Sequence, residues 1–79
     1  MYQVIIADDE AKIRSGLANL FPWNQLGFEI TGSFSNGGDA YDFALSSPVD
    51  LILSDIRMPL MDVFSYFSHL YPTPQTVVI

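Results

Sequence analysis

A chain of 79 residues has room for one domain, and its 49% hydrophobic content favours a packed globule over disorder. Nine acidic residues against three basic ones give a formal net charge of −6, which argues against direct nucleic-acid binding by this segment and favours cation binding wherever carboxylates cluster. There is no cysteine for a disulfide or a thiolate metal site, and no apolar run approaches the ~20 residues that span a bilayer, so we expect a cytoplasmic protein that does not enter membranes.

The first half of the chain predicts a strand, a helix, a strand and a second helix. The apolar run Val4–Ala7 is typical of a strand buried on both faces, and it stops abruptly at Asp8. Apolar residues at spacings of four and three then predict a helix over Ala11–Leu20. After proline and glycine break this pattern, an extended piece is expected over Phe28–Phe34, and a helix over Asp39–Ser46.

The second half repeats the alternation. Leu51–Leu53 is another buried strand, and it closes on an acid, Asp55. A third helix is expected over Val63–Tyr71 and a fourth strand over Thr76–Ile79. Strands that alternate with helices predict an α/β fold, with right-handed crossovers and a parallel sheet covered by helices on both faces. In such sheets, ligands bind outside the carboxyl ends of the strands.

Three acids, Asp8, Asp9 and Asp55, follow the ends of two strands that we expect to be central neighbours. Carboxylates that converge repel each other unless a cation neutralises them, and ligands that offer only oxygen favour Mg2+ before Mn2+ or Ca2+. A carboxylate beside such a cation can attack phosphorus and form an aspartyl phosphate. The alternative is structural, because acids at strand ends also cap helices, and Asp9 or Glu10 could do only that.

Two segments resemble response-regulator receiver domains. Residues 4–10, VIIADDE, are similar to the first strand and acidic pair of that family, and residues 51–59, LILSDIRMP, to its phosphoacceptor strand and following loop. The two segments come in the family's order and at its usual separation. The resemblance covers residues 1–79 and implies a flavodoxin-like (CheY-like) parallel sheet of strand order 2-1-3-4, incomplete because the chain stops after the fourth strand.

The resemblance also implies roles for individual residues. Asp55 is the phosphoacceptor and also binds Mg2+, Asp9 is a direct Mg2+ ligand, Asp8 acts largely through water, and the backbone carbonyl of Arg57 completes the protein's share. The phosphodonor is a sensor histidine kinase or a small phosphodonor, and the module does not turn over external substrates. Residues 21–29, FPWNQLGFE, resemble the receivers of regulators with an AraC-type DNA-binding domain, which implies a DNA-binding output.

The chain departs from the family at two places. Val63 stands where receivers usually have glycine, and the chain stops at Ile79, before the Ser or Thr and the Lys that the family places after the fourth and fifth strands. These departures favour a second hypothesis, a degenerate receiver that binds partners without phosphorylation. A third hypothesis is an Mg2+-dependent phosphohydrolase. Such an enzyme would usually show Asp-x-Asp after the first strand and a cap over the substrate, and the sequence has neither.

Other residues are expected to have structural roles. Lys12 and Arg14 flank the acidic pair and are interpreted as solvated helix charges by default, although Arg14 could soften the negative field. Trp23 is expected to pack over the bottom of the sheet. The fourth strand, apolar and without a fifth beside it, predicts homodimer formation through its edge.

Overall fold

A computed structural model describes residues 1–54 and 73–78 of the chain. The described elements, in chain order, are β1 (Tyr2–Ala7), α1 (Ala11–Leu20), a 3-10 helix (Trp23–Leu26), β2 (Phe28–Phe34), α2 (Gly37–Ser46), β3 (Leu51–Ser54) and β4 (Gln75–Val78). The predicted limits of α1 and β2 are confirmed. The predicted helix over Val63–Tyr71 lies outside the described residues.

The four strands form one parallel sheet with the order β2-β1-β3-β4. In the centre, β1 and β3 run in register from Val4 beside Leu51 to Ala7 beside Ser54. On the outer side of β3, Leu51 lies beside Gln75 and Ser54 beside Val78. The predicted parallel sheet and its strand order are therefore confirmed.

The core lies on both faces of this sheet, as expected from the continuous apolar run in β1. Four residues of β1 have no exposed surface, and successive ones belong alternately to two hydrophobic core clusters. On one face, Val4 and Ile6 pack with Leu53 against α1 and the 3-10 helix. On the other, Ile5 and Ala7 pack with core residues of α2 and β3, namely Ala40 and Ile52. The two helices thus cover opposite faces of the sheet.

Helix α2 begins two residues earlier than the predicted start at Asp39. The side chain of Asn36 accepts a hydrogen bond from the Asp39 N–H at 2.8 Å and caps the helix, so Gly37 and Gly38 form its first turn. The two described α-helices have ten residues each, and no described helix is long and apolar enough to cross a bilayer.

Strand β2 contains a bulge that the sequence pattern did not predict. Ile30 pairs with Val4, but the next residue of β1 pairs with Gly32, so Thr31 is an extra residue. Because of this insertion, Ile30 packs on the α1 face, whereas Phe34 packs on the α2 face. Gly32 allows the ring of Phe34 to approach closely, since a Cβ at Gly32 would lie 2.6 Å from Phe34 Cε2.

Trp23 fixes the connection between α1 and β2. Its Nε1 donates a hydrogen bond to the Leu17 carbonyl at 3.0 Å, and its ring is nearly perpendicular to that of Phe28 at a centroid distance of 6.0 Å. The 3-10 helix ends at Gly27, whose positive φ of 89° favours glycine. The predicted packing of Trp23 against the sheet is confirmed, because it contacts the cluster on the α1 face.

Candidate functional site

The acidic pair lies at the carboxyl end of the central strand β1. Asp8 and Asp9 follow Ala7 directly, and β1 has β2 on one side and β3 on the other. The Asp8 N–H donates to the Phe34 carbonyl at 3.0 Å, which extends the contact between β1 and β2 by one residue. The pair therefore begins at a fixed point of the sheet edge where ligands bind in α/β folds.

Asp8 and Asp9 have different surroundings. Asp8 is only 4% exposed, and its Oδ1 accepts a hydrogen bond from the Glu10 N–H at 2.9 Å. Asp9 is exposed. A buried carboxylate needs such a hydrogen bond, and this one also tightens the turn that leads into α1. Because Asp9 is exposed, its carboxylate is accessible to solvent or to a ligand.

The described residues do not support the alternative that Asp9 or Glu10 only caps α1. Glu10 is the residue that precedes α1, and within residues 1–54 its side chain accepts no capping hydrogen bond. Asp9 lies one residue further from the helix. Neither acid therefore serves α1 as a side-chain cap, and Asp8 is the one with a structural hydrogen bond.

Arg14 contributes to this site, and the default interpretation as a solvated helix charge is wrong. Arg14 is half-buried, and its Nη1 donates to the backbone carbonyl of Asp8 at 2.6 Å. Lys12, the other cation of the first turn, is exposed. A contact between a side chain and a backbone carbonyl cannot be predicted from residue types. The position of Arg14 in the first turn of the helix is the one signal that the sequence offers.

Strand β3 ends beside the acidic pair. Ala7 pairs with Ser54, the last residue of β3 and only 3% exposed. Asp55 is the next residue in the sequence, but Asp55 and Arg57 lie outside the described residues. Within residues 1–54 and 73–78 there is no group of three acidic or histidine side chains arranged to hold a metal. The predicted metal set is thus described for Asp8 and Asp9 alone.

Comparison with known protein families decides the identity of the fold. A family model described as the response regulator receiver domain matches residues 4–79. The chain belongs to this family. The matched span includes both acidic segments, so the receiver pattern extends over the site described above.

Individual relatives agree with this assignment. The receiver is 32% identical to the uncharacterized transcriptional regulatory protein YesN of Bacillus subtilis over 82 residues, which cover 100% of this chain and 22% of YesN. It superposes on the REC domain of AraT from Geobacillus stearothermophilus with a TM-score of 0.84 and 32% identity, covering 98% of this chain and 62% of that one. A chain in the crystal structure of the CheA3 P1 domain in complex with CheY6 from R. sphaeroides gives a TM-score of 0.70 at 34% identity, covering 98% of this chain and 60% of that one.

Proposed function

We propose that this receiver domain accepts a phosphoryl group on Asp55 and uses Mg2+, bound by Asp9 and Asp55, by Asp8 through water and by the backbone carbonyl of Arg57. The observation that supports it is the register of the central strands. Ala7 of β1 pairs with Ser54 of β3. In the sequence, the acidic pair directly follows Ala7, and Asp55 directly follows Ser54. The donor set is oxygen only, as Mg2+ prefers.

The reaction is an attack by a carboxylate oxygen of Asp55 on phosphorus. The new bond joins that oxygen to phosphorus, while the bond from phosphorus to the donor breaks and its electron pair leaves with the donor. Bound Mg2+ would neutralise the negative charge that gathers on the phosphoryl oxygens. The exposed carboxylate of Asp9 is available to this cation, and the hydrogen bond from Glu10 N–H orients the carboxylate of Asp8.

The phosphodonor in this proposal is a sensor histidine kinase or a small phosphodonor in the cytoplasm. One similar structure contains CheY6 in complex with the P1 domain of CheA3. The receiver would act as a signalling module and not as an enzyme that turns over external substrates. We also propose a transcriptional, DNA-binding output, because YesN is a transcriptional regulatory protein. Whether a DNA-binding domain is encoded downstream of Ile79 tests this proposed output.

Phosphoryl uptake tests the proposal directly. Incubation of the purified protein with acetyl phosphate and Mg2+ is expected to give a single phosphoryl adduct by intact-mass spectrometry. EDTA in place of Mg2+ is expected to suppress it, because the acidic site then keeps its negative charge and repels the donor. A folded protein with no adduct under either condition would contradict the proposal and favour the phosphorylation-independent interaction module.

We further propose that a polypeptide of these 79 residues pairs with a second copy through β4. Within the described sheet β4 is an edge strand, and Val77 is 46% exposed. Apolar edge strands pair readily with another chain, and a lysine on the edge opposes this. Light scattering after size exclusion is expected to give a dimer at micromolar concentrations and a monomer for Val77→Lys. A monomer for both proteins would contradict the pairing.

A further inference from the structure

We infer that Arg14 is a positioning residue for the acidic pair, and that it sets the affinity of the site for Mg2+ by holding the loop between β1 and α1. This inference rests on the function proposed above. The sequence indicated only a charge at this position, whereas in the structure Arg14 Nη1 donates a hydrogen bond to the Asp8 carbonyl.

Arg14 is joined to the loop at two points. Its guanidinium donates to the Asp8 carbonyl at 2.6 Å, and its backbone N–H donates to the Glu10 carbonyl at 3.1 Å. Asp9 lies between these two anchored residues. The conformational freedom of the Asp9 backbone is therefore limited on both sides, although its side chain is exposed.

Two further polar groups of Asp8 also make hydrogen bonds. Its N–H donates to the Phe34 carbonyl at 3.0 Å, and its Oδ1 accepts from the Glu10 N–H at 2.9 Å. With the bond from Arg14, the backbone of Asp8 is fixed from β2 on one side and from α1 on the other. The loop that carries the acids is thus oriented before any cation arrives, and this lowers the ordering cost of binding.

A purely electrostatic role for Arg14 predicts the opposite effect on affinity. A positive charge close to a cation site repels the cation, so its removal alone would strengthen Mg2+ binding. Loss of a positioning bond weakens binding, and removal of partners that orient metal ligands typically costs about 10–100-fold in metal affinity. The sign of the change therefore distinguishes the two roles.

The matched control is Lys12, which lies in the same turn of α1, carries the same charge and is exposed. Arg14→Ala and Lys12→Ala change the net charge by the same amount. We expect Arg14→Ala to weaken Mg2+ binding about tenfold, at the low end of the range for lost orienting partners, and Lys12→Ala to leave it unchanged or slightly tighter. The probe is MgCl2 alone, titrated calorimetrically into the metal-free full chain.

A second measurement does not depend on metal. In Arg14→Ala the Glu10 amide, which donates to Asp8 Oδ1, is expected to exchange its hydrogen faster, whereas the Ile5 amide in the core strand keeps its protection. If Arg14→Ala does not fold, Arg14→Lys replaces it and is compared with wild type, which has the same net charge. Arg14→Lys keeps the positive charge but loses the planar fork, and we expect weaker Mg2+ binding than in wild type.

The outcomes separate this inference from the proposed function. Wild type that is folded and binds no Mg2+ would overturn the proposed function, and this inference with it. Wild type that binds Mg2+, with Arg14→Ala binding as tightly as Lys12→Ala or more tightly, would overturn the role of Arg14 alone. About tenfold weaker binding in Arg14→Ala, with faster exchange at Glu10, supports it.

Discussion

Replacement of Asp55 by Asn is expected to abolish the phosphoryl adduct formed with acetyl phosphate and Mg2+. An amide has no anionic oxygen to attack phosphorus, and it keeps the size of the carboxylate, so the fold should be retained. Intact-mass spectrometry of the treated protein measures the loss, and circular dichroism of the same sample checks the fold. The expected effect is complete loss, since we propose one acceptor.

The matched control for this experiment is Asp42→Asn, which makes the same chemical change at an exposed position of α2. We expect it to form the adduct as wild type does. An adduct that persists in Asp55→Asn would assign the phosphoryl group to another acid. Loss of the adduct in both variants would show that net charge, and not the identity of Asp55, governs the reaction.

Truncation of Ile5 to Ala is expected to lower the free energy of unfolding by about 2–5 kcal/mol. Ile5 has no exposed surface and lies in the central strand, in the cluster on the α2 face with Ala40 and Ile52. A small domain has only about 5–15 kcal/mol of stability in all, so this loss is a large part of the total. Urea denaturation followed by circular dichroism measures it.

Ile13→Ala removes the same atoms from a site that is 43% exposed on α1, and it serves as the control. Alanine is the better helix former and no buried cavity results, so we expect a change within about 0.5 kcal/mol. An Ile5→Ala protein that is unfolded in buffer would agree with the expectation. Equal unfolding midpoints for the two variants would show that the core does not depend on the centre of β1.

Local sequence patterns were enough to predict the order of the described elements, the parallel sheet and the position of the acidic pair. These follow from short-range patterns, namely an apolar run that stops at Asp8 and a helical spacing that starts three residues later, at Ala11. The resemblance to receivers supplied the strand order, which periodicity does not specify. Helix α2 was predicted two residues short, because Asn36 and the glycines after it read as a turn in the sequence.

The contacts that hold the acidic loop could not be predicted, because they arise from the packing of the folded chain. The bulge at Thr31 moves Phe34 to the α2 face, and the carbonyl of Phe34 then accepts the N–H of Asp8. The guanidinium of Arg14, in the first turn of α1, donates a hydrogen bond to the carbonyl of Asp8. Both contacts end on backbone groups, which every residue has, so residue type gives no signal for them. They depend on where the strands and the helix pack, and that packing is set by the whole core.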